Sequence, residues 1–141
     1  MSRRRGAPGA PPLLLYDGVC ALCNGAVRFV LRRDRQGAIR FAPLQGPTAA
    51  AVIARHPHLE GVDSMVWVGA AGEVSVRSDA ALAVGRYLGG PWRWLAAAAS
   101  LVPRPLRDGL YDLVARRRYR LFGRYDACPV PPPEQRARFL E

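Results

Sequence analysis

The chain reads as an α/β fold: a β-α-β-α-β-β-α core followed by a C-terminal helical extension. Three observations point there. The length, 141 residues, suits one domain around one core. Apolar residues switch along the chain between strand and helix periods. Two strand-like runs are joined by a turn short enough to force a hairpin. Half of the residues are apolar, which excludes a wholly disordered chain. No apolar run nears the roughly 20 residues that cross a bilayer. Leu13 to Leu15, behind Arg3-Arg4-Arg5, are too few for an export signal. A soluble, cytoplasmic protein is the expectation.

Residues 1–12, rich in Arg, Pro and Gly, are expected to form a flexible basic tail ahead of a single domain over 13–141. Leu13-Leu14-Leu15-Tyr16 is a continuous apolar run ending at Asp17-Gly18, which suits a buried central strand and a turn. From Cys20 to about Gln36, Cys23, Val27, Val30 and Leu31 repeat at helical spacing, placing Cys23 toward the core and Cys20 at the first turn. Gly37 ends that helix, and Ile39-Arg40-Phe41-Ala42 alternates as a strand, so the two strands should be parallel. Pro47 opens a second helix through Ala49, Val52 and Ile53 that ends by His56-Pro57. Met65 to Val68 and Glu73 to Val76 form an antiparallel hairpin across Gly69 to Gly72. Ser78 is the expected N-cap of a helix from Asp79 to Leu88, closed by Gly89-Gly90. That order of elements is the order of a thioredoxin fold. From about residue 91 the chain turns helical. Pro91 and Pro103 bracket Trp92 to Val102, and Pro105 opens a helix with Leu106, Leu110, Leu113 and Val114 on one face, expected to complete the core. Trp67, Trp92 and Trp94 are expected to fill the core or cover these helices.

The formal charge of +10 is carried by Arg alone, without a single Lys, and the excess lies at the two ends around a neutral middle. Such a compositional habit is not in itself a sign of a polyanionic partner. Arg116, Arg117, Arg118, Arg120 and Arg124 are read as a solvated helix face, with Asp112 and Arg116 at i and i+4. The competing reading is a basic module that docks on nucleic acid or a membrane surface, its cysteines structural.

The chemistry is carried by Cys20-Ala21-Leu22-Cys23. Three residues apart on a helix, Cβ atoms lie about 5–6 Å from each other, and a disulfide spans Cα atoms about 4.4–6.8 Å apart, so the pair can close reversibly. The helix N-terminus favours a thiolate at Cys20, whereas burial holds the thiol of Cys23 neutral. Cys20 is therefore the expected nucleophile and Cys23 the resolving thiol. Asp17 has two readings, a proton acceptor for Cys23 or a cap at the helix start. Haem attachment is excluded by Asn24 in place of His. An oxyanion loop is excluded because Arg28 stands at the wrong spacing from either cysteine. Zinc would need Cys128, His56 and His58, which show no paired spacing. Cys128 stays open between packing, an auxiliary thiol and a metal ligand; His56 and His58 are read as surface residues. No bound cofactor and no metal is implied.

The segment Tyr16-Asp17-Gly18-Val19-Cys20-Ala21-Leu22-Cys23-Asn24 resembles the D-x-x-C-x-x-C signature of the DCC family of thiol-disulfide oxidoreductases. The resemblance continues through Arg33-Asp34, Phe41-Ala42-Pro43-Leu44-Gln45, Asp63-Ser64, Arg77-Ser78-Asp79-Ala80, Val102-Pro103, Arg107-Asp108, Tyr111-Asp112 and Arg118-Tyr119-Arg120-Leu121-Phe122-Gly123. It implies a thioredoxin-like fold, functional positions at Asp17, Cys20 and Cys23, a disulfide or thiol substrate, and a separate reductant. Two places depart from the pattern. Asp63-Ser64-Met65 stands where thioredoxins carry a cis-proline, and Arg116-Arg117-Arg118-Tyr119 stands where the family usually reads Arg-Asn-Arg-Tyr.

Overall fold

The computed structural model describes residues 11–62, 64–123 and 133–140. In them the chain runs β1 (Leu13–Tyr16), α1 (Ala21–Arg33), β2 (Arg40–Pro43), α2 (Pro47–Arg55), a 3₁₀ turn (Pro57–Leu59), β3 (Val66–Val68), β4 (Val74–Val76), α3 (Arg77–Leu88), α4 (Gly90–Ser100), α5 (Arg104–Phe122) and a second 3₁₀ segment (Pro133–Arg138). This is the predicted β-α-β-α-β-β-α order with helices added behind it. The basic tail up to residue 10, together with Asp63, Arg124 and Cys128, lies outside the described residues.

The sheet order is β2-β1-β3-β4. β1 runs parallel to β2, with Leu13 opposite Arg40 and Tyr16 opposite Pro43. It runs antiparallel to β3, with Leu15 opposite Val66, and β3 and β4 close the antiparallel hairpin. A strand covered on both faces needs apolar side chains at successive positions, and β1 supplies them. Leu14 and Tyr16 pack with Val27, Phe41, Trp67 and Val84 on the α1/α3 face, whereas Leu15 packs with Ala42, Val52 and Val66 on the α2 face. Every side chain of this central strand past Leu13 is thus committed to a core, so the loop leaving its C-terminal end starts from a fixed point.

Several local expectations change. α1 stops at Arg33, ahead of Gly37, because Asp34 leaves helical geometry and its carboxylate accepts the N–H groups of Gly37 and Ile39 at 3.1 Å each. Ser78 does not cap α3. The helix begins two residues earlier, at Arg77 behind Val76, and the Ser78 hydroxyl donates to Asp108 of α5 at 2.5 Å. On α5 the face expected to be buried is exposed: Leu106, Leu110, Leu113 and Val114 all reach solvent. The helix docks through polar side chains instead, and Arg118 is its buried residue. Trp67 is in the core and Trp92 meets Phe29 edge-on at 4.9 Å, but Trp94 is 68% exposed.

Asp34 also ties the end of the described chain to the sheet. Its carboxylate takes Arg138 at 2.5 Å and the Tyr87 hydroxyl at 2.9 Å, while Leu140 N–H donates to the Phe41 carbonyl at 2.7 Å and Phe139 stacks on Phe41. Asp34→Ala would strand two backbone N–H groups, a phenol and a guanidinium together. A loss of about 3–5 kcal/mol in unfolding free energy is expected, measurable by urea denaturation.

Candidate active site

Four residues, Asp17 to Cys20, join β1 to α1, and nearly every polar group of that loop has a partner. The Asp17 carboxylate accepts from Val19 N–H at 3.1 Å, and the Asp17 carbonyl accepts from Cys20 N–H at 3.2 Å. Asn24, buried one turn into α1, donates from its side-chain nitrogen to the carbonyls of Gly18 and Cys20, both at 2.9 Å. Gln45, from the turn after β2, donates to Asp17 Oδ1 at 2.8 Å and accepts from Gly18 N–H at 3.1 Å. Asn24 and Gln45 are positioning residues that sequence reasoning missed. Asn24 lies off the apolar stripe, and a buried amide among solvated polar positions shows no periodic signal.

Cys20 is the N-cap of α1. Its backbone is extended, at φ −85° and ψ 124°, and its sulfur accepts the N–H of Cys23 at 3.4 Å. Both thiols are free. Their burial reverses the sequence expectation: Cys20 is 0% exposed, whereas Cys23 is only partly covered and lines an open cleft. The reason is that Cys20, extended at the N-cap, stands outside the helical spacing from which its exposure was expected. The Cys20 side chain turns in beneath the loop, and that of Cys23 emerges between α1 and α5. Burial still governs the Cys23 thiol, pushing its pKa up to about 12, with the hydrogen bond and charge of Cys20 acting in the same direction. A backbone hydrogen bond from Asp17 and the positive charge of Arg118 pull the other way.

Arg118 requires the largest correction. Read from the sequence as one of a solvated Arg run, it is 8% exposed and pairs with Asp17 at 3.2 Å across 101 residues of chain. The neighbouring Tyr119 hydroxyl donates to the same carboxylate oxygen. Burial alone would raise the Asp17 pKa; the hydrogen bonds from Tyr119, Gln45 and Val19 and the charge of Arg118 outweigh it, leaving this carboxyl below its ordinary range. Asp112 lies 3.8 Å from Arg77. Arg116, Arg117 and Arg120 are exposed, in keeping with a solvated face. Arg117, the position that departs from the Arg-Asn-Arg-Tyr pattern, thus faces solvent, while Arg118 and Tyr119, which keep it, are the two side chains that reach Asp17.

The C-x-x-C at a helix N-terminus, with Asp17 beneath it and Arg118-Tyr119 closing over it, coincides with a family pattern. A model of the DCC1-like thiol-disulfide oxidoreductases matches residues 14–124. The chain belongs to that family. Among similar proteins, the uncharacterized protein YuxK of Bacillus subtilis (strain 168) is 42% identical over 129 residues, covering 91% of this chain and 93% of its own. A chloroplastic DCC family protein of Arabidopsis thaliana is 38% identical over 119 residues, covering 84% of this chain and 69% of its own. No solved structure matches the chain. The family supports a redox role, and the DCC1-like chain brings its two thiols together at one helix start. His56 and His58 stand edge-on to each other beside the 3₁₀ turn, away from the cysteines. Among the described residues no three His, Cys, Asp or Glu cluster to hold a metal ion, and no helix is long and apolar enough to cross a membrane.

The lowered Asp17 pKa has a definite sign in stability. A carboxyl whose native pKa lies below its unfolded value stabilises the fold above that unfolded value and loses the contribution as pH falls through the native one. Breaking a buried pair costs about 3–5 kcal/mol, so Asp17→Asn should be destabilised by that order at neutral pH. The gap to wild type should narrow as pH falls below the ordinary value of 3.8. Urea denaturation across an acid pH series measures both.

Proposed function

We propose that this chain is a thiol-disulfide oxidoreductase in which Cys20 attacks a substrate disulfide and Cys23 resolves the intermediate. The observation that carries the assignment is the N-cap geometry, in which the Cys20 sulfur accepts a backbone N–H at the positive end of α1. The Cys20 thiolate bonds to one substrate sulfur and the other leaves, taking a proton to become a thiol. Cys20 is then in a mixed disulfide, and the hydrogen bond and charge by which it opposed ionisation of Cys23 are gone. The Cys23 thiolate, formed beside Arg118, attacks the Cys20 sulfur. The second substrate thiol leaves, and a Cys20–Cys23 disulfide remains. Two electrons pass from the protein dithiol to the substrate, and a separate thiol reductant must restore them. A reducing compartment such as the cytoplasm, which keeps such a dithiol reduced, is the setting this reading assigns.

Asp17 serves this cycle as a positioning residue. A carboxylate held by four donors at a depressed pKa is a weak base, poorly matched to a thiol near 12. What it does well is hold Arg118, a fixed positive charge, next to Cys23. The full burial of Cys20 adds a step: attack waits for its cover to part. The Ala21 N–H donates to the Gly123 carbonyl at 3.2 Å, which seats the end of α5 on the start of α1, and this end is the proposed moving part.

Cys23→Ser should accumulate mixed disulfides on Cys20 that reducing agents release, and Cys20→Ser should accumulate none. Mass spectrometry of adducts captured from a lysate checks this. Adducts on Cys23 in the Cys20→Ser protein would reverse the roles, and adducts in neither variant would defeat the exchange reading.

A further inference from the structure

A cleft of about 570 Å³ opens beside Cys23, between α1, α3 and α5. Its walls come from Leu22 and Ala26 of α1, Met65 ahead of β3, Leu82 of α3, Val102 after α4, and Val114 of α5. A further apolar hollow of about 330 Å³, reaching Phe29 and Trp92, shares Ala26, Met65, Leu82 and Ala99 with it, so the non-polar surface runs on along α1. Sites for small molecules have this size, about 300–1,000 Å³, with apolar walls and a few placed polar groups.

The polar groups decide what fits. Two arginines line the cleft, and both charges are already matched. Arg107 donates to Asp79 at 3.1 Å and to the Val102 carbonyl at 3.0 Å, and Arg118 pairs with Asp17. A charged ligand would have to shed its hydration with no free counter-charge to meet it. Among the described residues the Arg118 Nε–H is buried with no acceptor, an unmet donor on a side chain that stands next to Cys23. An extended peptide is poorly served here, because Met65 on the cleft wall has its own backbone taken. Its N–H donates to the Tyr111 hydroxyl at 3.0 Å, and its carbonyl accepts from Arg77 N–H at 3.3 Å.

We propose that this cleft is the substrate site and that it takes an uncharged, apolar disulfide of low molecular weight. The inference rests on the exchange reaction proposed above. With the disulfide at the Cys23 end of the cleft, Cys20 reaches it once the α5 end that covers Cys20 parts: Cys20 bonds to one substrate sulfur as the substrate S–S bond breaks, Cys23 then displaces that sulfur to leave a Cys20–Cys23 disulfide, and the two protons and two electrons leave with the substrate as a dithiol or a pair of thiols.

The test uses the reduced full-length chain under anaerobic conditions with two probes, lipoamide, which is neutral and apolar, and glutathione disulfide, which is charged. Each rate is normalised to the reaction of the same probe with free dithiothreitol, which removes intrinsic differences between ring and linear disulfides. The normalised rate with lipoamide should exceed that with glutathione disulfide by about tenfold or more. Ala81→Trp, which fills the cleft from an exposed position, should bring that ratio close to one. Equal normalised rates in the wild-type chain, or a ratio unmoved by Ala81→Trp, would overturn the cleft as the site while leaving the exchange reaction standing. Reduction of neither probe would overturn both.

Discussion

The Asp17–Arg118 pair is the contact on which the rest of the site depends. One partner is the first residue after the central strand, and the other belongs to the last long helix. Two charges out of water are costly unless each lone pair and proton is met, and here the carboxylate is met four times over, by Arg118, Tyr119, Gln45 and the Val19 N–H. That arrangement explains why α5 lies against α1 at all. Its apolar side chains do not seat it, since Leu106, Leu110 and Leu113 reach solvent. The helix is held by a polar lock at its C-terminal half and by the Ser78–Asp108 and Arg107–Asp79 contacts at its N-terminal half. An ionic lock fixes position and direction more narrowly than an apolar contact would, and so it holds the Arg118 charge at a defined place beside Cys23.

The two thiols next to this lock stand in different surroundings. Cys20 sits where backbone N–H groups converge and its sulfur already accepts one of them. Cys23 sits where desolvation opposes its charge, while a backbone hydrogen bond from Asp17 and the charge of Arg118 favour it. In the proposed cycle the second thiol stays protonated until the first is engaged, and then ionises beside a guanidinium that Asp17 has kept in place. The same lock leaves an apolar hollow next to Cys23, because α5 is anchored at its two halves and does not collapse onto α1 between them.

The order of elements along the chain, the parallel β1–β2 pair and the hairpin were legible from apolar period and turn chemistry, because these features follow from short stretches of sequence. So was the C-x-x-C at a helix start. What was not legible is which member of a charged run faces inward. Arg116, Arg117, Arg118 and Arg120 are equivalent as residue types, and their formal charge suggests solvent for all. A signal did exist: Tyr111, Ala115, Arg118 and Phe122 fall at i, i+4, i+7 and i+11, one face of α5, and Asp17 stood without a partner near the cysteines. The apolar positions Leu106, Leu110, Leu113 and Val114 outvoted that face, since apolar periodicity normally marks the core. Ser78 misled for a similar reason. A hydroxyl at a helix start is usually a cap, but here Asp108, 30 residues on, claims it.

Arg118 is the charge proposed to let Cys23 ionise. The most direct measurement is the pH dependence of Cys23 alkylation in a chain carrying Cys20→Ser and Cys128→Ser, with Arg118 intact and with Arg118→Gln, both checked for folding by circular dichroism. Loss of the guanidinium should move the midpoint to higher pH by about one unit or more, and Arg118→Lys should recover part of the shift. A midpoint that stays where it is, or falls, in the folded Arg118→Gln protein would contradict the account.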